Sequence, residues 1–409
     1  VDQIRGYVSE CTLYAHGDLS LNETIIAMNQ NYVGSNNINL FIPCGAFGTR
    51  LCGGKDAASP RYISTKLNKI VHDIFKPEDK ALLVHHREGD VEIEPEYYIP
   101  IIPMVLVNGA VGIGTGYASD IPCYNPIDII DCLLELLEND HYQCKLLPWY
   151  RNFTGKISKG VDSFISHGTM HIKSSNTFEI TELPIGVWTQ KYKEFLETLI
   201  EKKTILSFSD YSTEKKVNII VQGKRSFIQQ FKENHEKLVQ VFKLKSNIKL
   251  NITLFDEKHK LRKFSTVSSV MQYFYKVRLE YYSKRIECLL NQLVKQKKRL
   301  EQKVLFIRAV IQNKIKIFKK TRVQVTEQLI KQHFKKYENS FDYLLDLRIH
   351  QFTNERVQEF EAQLEELNQK IKGLKKTNSK EFWKEDLMVL KQILVEREKE
   401  LKSEDTSFS

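Results

Sequence analysis

The sequence has no long hydrophobic run and no paired cysteine motif. No apolar stretch approaches the length of about 20 residues that a membrane-spanning helix needs, and 27% of the residues are charged. The seven cysteines are an odd number, without a CxxC pair or a spacing to histidine that is typical of zinc, which indicates reduced thiols inside a cell. The sequence shows no signal or transit peptide and begins with Val1 rather than Met, so we expect a piece of a longer protein.

A basic, globular composition remains after these exclusions. The chain of 409 residues carries 61 Lys and Arg against 51 Asp and Glu, a formal charge of +10, and 42% of its residues are hydrophobic. That length predicts about two to four domains with ordinary cores. The excess of positive charge permits a polyanionic partner but does not identify one.

Composition changes twice along the chain, and the changes predict three domains. Residues 1–130 are rich in glycine, proline and aromatic residues, which indicates tight turns or close backbone approach. Residues 131–265 predict a mixed α+β domain, and residues 266–409 are almost free of glycine and proline. In the middle domain we expect helices at Ile127–Leu137 and Gln190–Ile200, and strands at Phe178–Leu183 and Lys216–Val221.

Apolar residues in the last stretch follow coiled-coil spacing. A first series comprises Ile286, Leu290, Leu293, Leu300, Val304, Ile307 and Ile311, and a second comprises Val357, Phe360, Leu364, Leu367, Ile371 and Leu374. Two such helices predict an antiparallel pair. The intervening segment contains Tyr343, Leu344 and Leu345, which we expect to form a contact surface at the hairpin tip.

The first of these helices is strongly basic, with fifteen Lys and Arg but three acids between Phe274 and Arg322. This pattern is most often a solvated face that pairs with the returning helix, and a polyanion contact is the alternative.

Two glycine-rich stretches do not match nucleotide-binding motifs. Gly48–Asp56 has a second glycine where a P-loop needs lysine, and an aspartate where it needs serine or threonine. Gly109–Gly116 does not follow the GxGxxG order of dinucleotide-binding folds. We therefore predict neither an ATP site nor a dinucleotide site in this chain.

A cluster of cations surrounds one tyrosine and favours phosphodiester chemistry. Arg50, Lys55, Arg61 and Lys66 lie close in sequence to Tyr62. Cations stabilise a phenolate and hold a phosphate, and a tyrosine nucleophile at neutral pH needs such help to lose its proton. An Arg-Tyr dipeptide is weak evidence by itself, because most of the 18 tyrosines are expected to be core or interface rings.

Three further features each permit a functional and a structural interpretation. His16 could donate to a phosphate oxygen, although a lone histidine beside a turn glycine is usually structural or solvated. Ile113 lies between glycines and is either a packed turn residue or a wedge for a base step. Glu92, Glu94 and Glu96 would face one way on a strand, but a proline interrupts them and we predict no metal site.

Longer strings resemble the eukaryotic-type DNA topoisomerase II, specifically its breakage-reunion core. The matching strings are Tyr14–Leu21, Gln30–Asn37, Phe47–Tyr62, Glu94–Tyr98 and Pro100–Gly116, with weaker matches near Ile180, Trp188, Tyr343 and Trp383. The resemblance implies an α+β, mostly helical fold. It comprises a winged-helix domain over 1–130, a mixed α/β tower domain over 131–265, and a long antiparallel coiled coil over 266–409 that ends in a globular helical tip.

The resemblance also implies the role of each site residue. Tyr62 would attack a backbone phosphorus and form a 5′-phosphotyrosine, Arg61 would clamp the scissile phosphate, and His16 would hydrogen-bond a non-bridging oxygen. Ile113 would intercalate and bend the DNA. Further DNA contacts are expected from Lys55, Arg50, Gln30 and Lys66, and the dimer gate from Tyr343, Leu344 and Leu345.

The same resemblance implies two cofactors, Mg²⁺ bound by a TOPRIM domain and ATP bound by an ATPase domain. Neither pattern occurs in this sequence, so we expect the chain alone to bind DNA but to cleave it poorly. The expected partners are double-stranded DNA and a second copy of the chain, with no membrane. The expected compartment is the nucleus for a cellular enzyme and the host cytoplasm for a viral one, with the host nucleus as an alternative.

Departures from the family pattern at Ala15, Ala46, Val111 and Tyr117, with a compact tower, favour a divergent, viral member. A non-catalytic coiled-coil DNA clamp remains the alternative.

Overall fold

The computed structural model describes residues 1–160, 163–174, 176–224 and 235–407. Contacts divide the chain into two compact units. The first comprises residues up to Arg278 together with those from Lys384 onward, and the second comprises Leu279–Trp383. Within the described residues, no helix is long and apolar enough to cross a membrane.

The helices are, in chain order, α1 Asp2–Thr12, α2 Asp18–Asn29, α3 Val71–Ile74, α4 Met104–Val107, α5 Pro126–Glu138, α6 Thr189–Glu201, α7 His235–Val241, α8 Val267–Ile311, α9 Arg322–Lys331, α10 Asp342–Leu345, α11 Asn354–Lys376 and α12 Ser379–Ser407. The strands are β1 Phe41–Cys44, β2 Ser64–Leu67, β3 His85–Glu88, β4 Val91–Pro95, β5 Ala110–Gly114, β6 Tyr117–Ile121, β7 Lys156–Lys159, β8 Phe164–His167, β9 Thr169–Ile172, β10 Thr177–Glu182, β11 Ser207–Asp210, β12 Ile219–Gln222, β13 Lys245–Ile248, β14 Ile252–Phe255 and β15 Leu261–Phe264.

The N-terminal part combines two helices with a short pair of antiparallel strands. Helices α1 and α2 contact each other and lie beside the antiparallel pair β1–β2, in which Cys44 is opposite Ser64. A small core of Leu21, Ile25, Phe47 and Ile63 joins these elements. This core connects the helices to the segment between β1 and β2, and that segment carries Tyr62.

The middle part combines α-helices and β-strands, as predicted. Its four-stranded antiparallel sheet has the order β11-β12-β10-β9, and α6 and α7 pack on it through a common apolar core. The predicted strand at Phe178–Leu183 and helix at Gln190–Ile200 are confirmed by β10 and α6. The predicted strand at Lys216–Val221 starts later, at Ile219.

One predicted domain boundary falls inside a helix. Helix α5 runs without interruption from Pro126 to Glu138, across the boundary between residues 130 and 131. Asn125 caps it by accepting a hydrogen bond from Ile127 N at 2.9 Å, and its apolar face is buried. The change in composition near residue 130 therefore does not coincide with the beginning or the end of a helix.

The second unit is a helical hairpin, as predicted from the heptads. Val304 and Ile307 of α8 share a buried cluster with Val357 and Phe360 of α11, in the order expected for antiparallel helices. A separate core fills the tip between these helices, with Phe306, Ile315, Leu329, Phe341 and Leu344 among its buried side chains.

Candidate active site

Tyr62 lies at the end of a tight turn that projects it into solvent. Its backbone N–H donates to Ser59 O at 2.9 Å, which closes a four-residue turn with Pro60 at the second position. Proline favours that position because its ring fixes φ. The tyrosine side chain is 77% exposed, whereas the next residue, Ile63, is buried in the core between α2 and β2. The buried isoleucine thus fixes the point from which the phenol projects.

Three exposed cations lie near Tyr62, one beside its ring and two close to it in sequence. The guanidinium carbon of Arg61 lies 5.7 Å from the centre of the Tyr62 ring, and the Arg61 side chain is exposed. Lys55 precedes the turn and Lys66 follows it on β2, opposite Ile42, and both are exposed. This arrangement can attract and hold a phosphodiester beside a nucleophilic oxygen.

The loop before the turn is closed by Asp56. Its carboxylate accepts hydrogen bonds from Thr49 N at 2.9 Å and Thr49 Oγ1 at 2.6 Å, and Gly54 N donates to Thr49 O at 2.9 Å. Partial burial disfavours ionisation of Asp56, but the hydrogen bonds from Thr49 outweigh it and lower the pKa of Asp56. The ionised carboxylate therefore holds the loop closed.

Gln30 is part of the support for this loop. Its Nε2 donates to Phe47 O at 3.0 Å and to Gly54 O at 3.2 Å. Gly54 has φ +79, and a Cβ there would lie 2.4 Å from Gln30 Nε2, so the close approach requires glycine. The half-buried Gln30 therefore binds the backbone of the loop, and its predicted contact with DNA stays a prediction.

Arg50 is also structural rather than exposed. It is buried and pairs with the buried Glu182, which additionally accepts from Thr154 N at 3.2 Å, Thr154 Oγ1 at 2.9 Å and Leu183 N at 2.9 Å. A guanidinium that is buried and paired with a carboxylate in this way cannot reach a DNA phosphate. The predicted DNA contact of Arg50 is therefore wrong, and the residue instead ties the loop to the end of β10.

Trp188 is a supporting residue that the sequence pattern did not single out. A Cβ on Gly53 would lie 2.4 Å from the Trp188 ring, which shows how closely the loop packs on the indole. Trp188 also meets Tyr32 edge-on, with ring centroids 5.7 Å apart. Burial, assisted by the charge of Asp56, raises the pKa of Tyr32 to about 12. The only signal in the sequence was a weak family match around Trp188.

His16 lies between α1 and α2 and is exposed. Its ring meets Tyr14 edge-on at 5.5 Å, and Tyr14 packs on the same core that contains Ile63. His16 and Tyr62 thus project from the margin of one small core, and the imidazole is free to meet a ligand.

Ile113 lies on β5, which forms a hairpin with β6, and it is paired with Ala118 on the opposite strand. Its side chain is 93% exposed, and Val111 on the same face of the strand is 84% exposed. Asn251 holds the hairpin in place by donating from Nδ2 to Ala118 O at 2.7 Å. Of the two interpretations that the sequence permitted, the packed turn residue is excluded and the projecting wedge remains.

The proposed gate residues are placed differently from the prediction. Tyr343 and Leu344 are buried in the core of the tip, and Leu345 packs against it. The Tyr343 hydroxyl donates to Lys335 O at 2.7 Å. The prediction that Tyr343 and Leu344 form a contact surface is corrected, because both side chains are enclosed in the core of the tip, whereas the gate contact of the half-buried Leu345 stays a prediction.

Comparisons with known proteins identify the family of the chain. Residues 1–388 match the family model for the A subunit of DNA gyrase/topoisomerase IV. The mitochondrial DNA topoisomerase 2 of Dictyostelium discoideum is 40% identical over the whole chain, which covers 32% of that protein. The DNA topoisomerase 2 of Invertebrate iridescent virus 6 is 37% identical over 95% of the chain, which covers 34% of that protein. The chain thus spans about a third of the length of these relatives.

A solved structure shows the same fold. The crystal structure of the Plasmodium falciparum topoisomerase II DNA-binding, cleavage and re-ligation domain matches with a TM-score of 0.91 at 38% identity, and the match covers 99% of this chain and 59% of that one. The fold and the family match agree. The chain belongs to the type II DNA topoisomerases, in the region that corresponds to the DNA gyrase/topoisomerase IV family model.

Proposed function

We propose that this chain performs the breakage and reunion of double-stranded DNA in a type II topoisomerase. The observation that carries the proposal is the placement of Tyr62. Its phenol is 77% exposed at the end of a rigid turn, with Arg61 beside the ring and exposed lysines on both sides in sequence. A core or interface tyrosine needs no such surroundings.

In the proposed reaction the Tyr62 oxygen attacks the phosphorus of a DNA backbone phosphodiester. The new bond joins Tyr62 Oη to phosphorus, the bond from phosphorus to the 3′ oxygen breaks, the phenol loses its proton and the 3′ oxygen gains one. The product is a 5′-phosphotyrosine and a free 3′-hydroxyl. Because the new bond is again a phosphodiester, attack by the 3′-hydroxyl reverses the step without ATP.

Arg61 and His16 would act on the charge that develops at phosphorus. The Arg61 guanidinium would bind an oxygen of the scissile phosphate by charge-assisted hydrogen bonds. His16 would donate to a non-bridging oxygen, an interaction that strengthens as the transition state gains negative charge. Lys55 and Lys66 would contact neighbouring phosphates, and Ile113 would enter a base step and bend the duplex.

Mg²⁺ and ATP would act through parts of a longer protein. Within the described residues, no group of three or more His, Cys, Asp or Glu side chains is placed to hold a metal ion. When bound, the metal would stabilise charge on the attacking and leaving oxygens, so we expect slow cleavage by the isolated chain.

A homodimer would supply one tyrosine for each DNA strand. The hairpin tip of Leu279–Trp383 is the proposed gate, with exposed residues around the buried Tyr343 and Leu344 making the contact. The relatives of the chain are named from both cellular organisms and viruses, so both a cellular and a viral setting remain.

A non-catalytic DNA clamp is the second candidate, favoured by the net charge of +10 and the coiled coil. A clamp has no use for the phenol of Tyr62. The substitution Tyr62→Phe removes one oxygen from an exposed ring, so it would leave a clamp unchanged.

The test is to trap protein-linked DNA. The parent enzyme would be incubated with Mg²⁺ and end-labelled duplex DNA, then quenched with detergent, for the unaltered protein, Tyr62→Phe and the control Tyr211→Phe. Tyr211 is also exposed, at 61%, and lies outside the proposed site. We expect 5′-linked adducts with the unaltered protein and the control, and none with Tyr62→Phe. Tight DNA binding without an adduct in any of the three would favour the clamp.

A further inference from the structure

The hairpin tip carries a basic segment that the breakage reaction does not use. Between Glu301 and Glu327 the sequence has no acidic residue but contains seven Lys and Arg residues. Four of the lysines, Lys314, Lys316, Lys319 and Lys320, lie between α8 and α9 and are exposed. Among the residues that the structure describes, none of these four forms an ion pair. This concentration of unneutralised charge differs from the pairing expected of a solvated helix face.

The backbone of the segment is held in place by α9. Gln328 Oε1 accepts from Lys316 N at 3.0 Å, and Gln328 Nε2 donates to Lys316 O at 3.2 Å. Gln332 Nε2 donates to Lys314 O at 2.9 Å. Ile315 between them is buried in the core of the tip. The two glutamines and the isoleucine therefore fix a stretch in which Lys314 and Lys316 are both exposed.

An aromatic ring and an open groove adjoin these lysines. Phe318 is 71% exposed, although the preceding Ile315 and Ile317 both pack in the core of the tip. A groove of about 300 Å³ lies on the same part of the tip, lined by Lys314, Arg308 and His333, by three glutamines, and by the apolar side chains of Leu305, Ala309 and Phe334. Arg308 pairs with Glu361, whereas Lys314 is free to turn towards a ligand. The groove can accept a phosphate oxygen on cationic and amide donors.

We propose that the basic segment Lys314–Lys320, with the adjoining groove, is a second site for the phosphate backbone of duplex DNA. The proposal rests on the proposed function, which makes duplex DNA the polyanion that this chain meets. The fixed backbone spaces the lysines, and a helical row of phosphates offers charges at regular intervals to such an array. The four exposed lysines, which form no ion pair among the described residues, suit phosphate oxygens better than the acyl chains of a lipid. Two copies of the same acid-free segment would repel each other, which opposes pairing of the segment with itself.

Lysine footprinting separates this proposal from the proposed function. The full chain would be acetylated under limiting conditions with and without a duplex, and each lysine followed by mass spectrometry. We expect protection of Lys314, Lys316 and Lys319 in addition to Lys55 and Lys66, and none at Lys372 and Lys375 of α11. Protection of Lys55 and Lys66 alone would overturn the tip site and leave the proposed function standing.

The remaining outcomes are also decisive. Protection of the tip alone would support the tip site and count against the DNA contacts proposed around Tyr62. Protection nowhere would overturn both. Parallel samples with phosphatidylserine vesicles or with polyglutamate would identify a membrane or an acidic protein as the true partner, if either protected the tip while DNA did not.

A matched pair of variants tests the energetic consequence. The triple variant K314E/K316E/K319E and the control K372E/K375E/K376E change the net charge equally, and all six lysines are exposed. If three phosphate contacts are lost, the plot of log K against log salt concentration should become less steep by about 2 to 3 units in the first variant, while the melting temperature stays unchanged. Equal slopes in the two variants would mean that net charge alone acts and that the segment is no site.

Discussion

Replacing Arg50 by methionine should destabilise the first unit without removing a DNA contact. The Arg50 guanidinium and the Glu182 carboxylate are both buried, with side-chain exposures of 6% and 2%. Methionine fills a similar volume but leaves the Glu182 carboxylate inside the protein with only Thr154 and Leu183 as donors. The penalty arises from the remaining unpaired charge rather than from the lost attraction.

The expected cost is about 3 to 5 kcal/mol in the free energy of unfolding, the range for removing one partner of a buried ion pair. An exposed pair should behave differently. Lys173 and Glu179 are joined at 2.9 Å, but the lysine side chain is 49% exposed, so Lys173→Met should cost less than about 1 kcal/mol.

Urea unfolding followed by tryptophan fluorescence would measure both variants. Trp149 and Trp188 lie in the same unit as Arg50, so their emission reports on that unit. DNA binding would be measured on the folded protein at several salt concentrations. We expect the salt dependence of Arg50→Met to equal that of the unaltered chain, because no phosphate contact is lost.

Two results would refute this reasoning. A destabilisation below about 1 kcal/mol would show that the pair is well solvated, contrary to its burial. A salt slope lowered by about one unit would show that Arg50 binds a phosphate after all. The double variant Arg50→Met with Glu182→Gln should recover part of the loss, since the unpaired carboxylate is gone.

Three other predictions concern the same unit. Gly53→Ala should lower the free energy of unfolding by about 1 to 3 kcal/mol or displace the loop, because φ is +64 and the new methyl group would lie 2.4 Å from the Trp188 ring. The control Gly89→Ala, with φ +62 but open space around the new methyl group, should lower stability clearly less in thermal melts. Ile113→Ala should weaken and straighten bound DNA, with affinity reduced about tenfold and stability unchanged, as fluorescence energy transfer between the duplex ends would show; full bending by this variant would exclude the wedge. Because the pKa of Asp56 is lowered, its ionised form stabilises the loop fully above the ordinary pKa of 3.8, and this stabilisation is lost as the pH falls through the lower pKa of the folded state. The protection of the loop amides against hydrogen exchange should decrease over the same pH range. In Asp56→Asn that protection should not depend on pH over this range.

Local patterns determined much of this protein. The heptad series of the last stretch predicted the hairpin of α8 and α11, because each helix must bury a stripe against a partner. The alternation of apolar residues predicted β10, and the strings around Tyr62 predicted both the family and the residue that projects as a candidate nucleophile.

Tertiary contacts decided the roles that charge and sequence proximity could not. Arg50 and Lys55 are both cations near Tyr62, yet Arg50 is buried because Glu182, distant in sequence, lies on β10 beside the loop, whereas Lys55 has no such partner among the described residues and stays exposed. Gln30 lies in a string that resembles the family, and the structure adds that its amide supports the loop that Gly48–Asp56 forms. Tyr343 was expected at a surface and is used in the core of the tip. Each of these side chains could either support the fold or face a partner. Its burial and its hydrogen-bond or ion-pair partners decide its role, and these are set only when segments distant in sequence pack together.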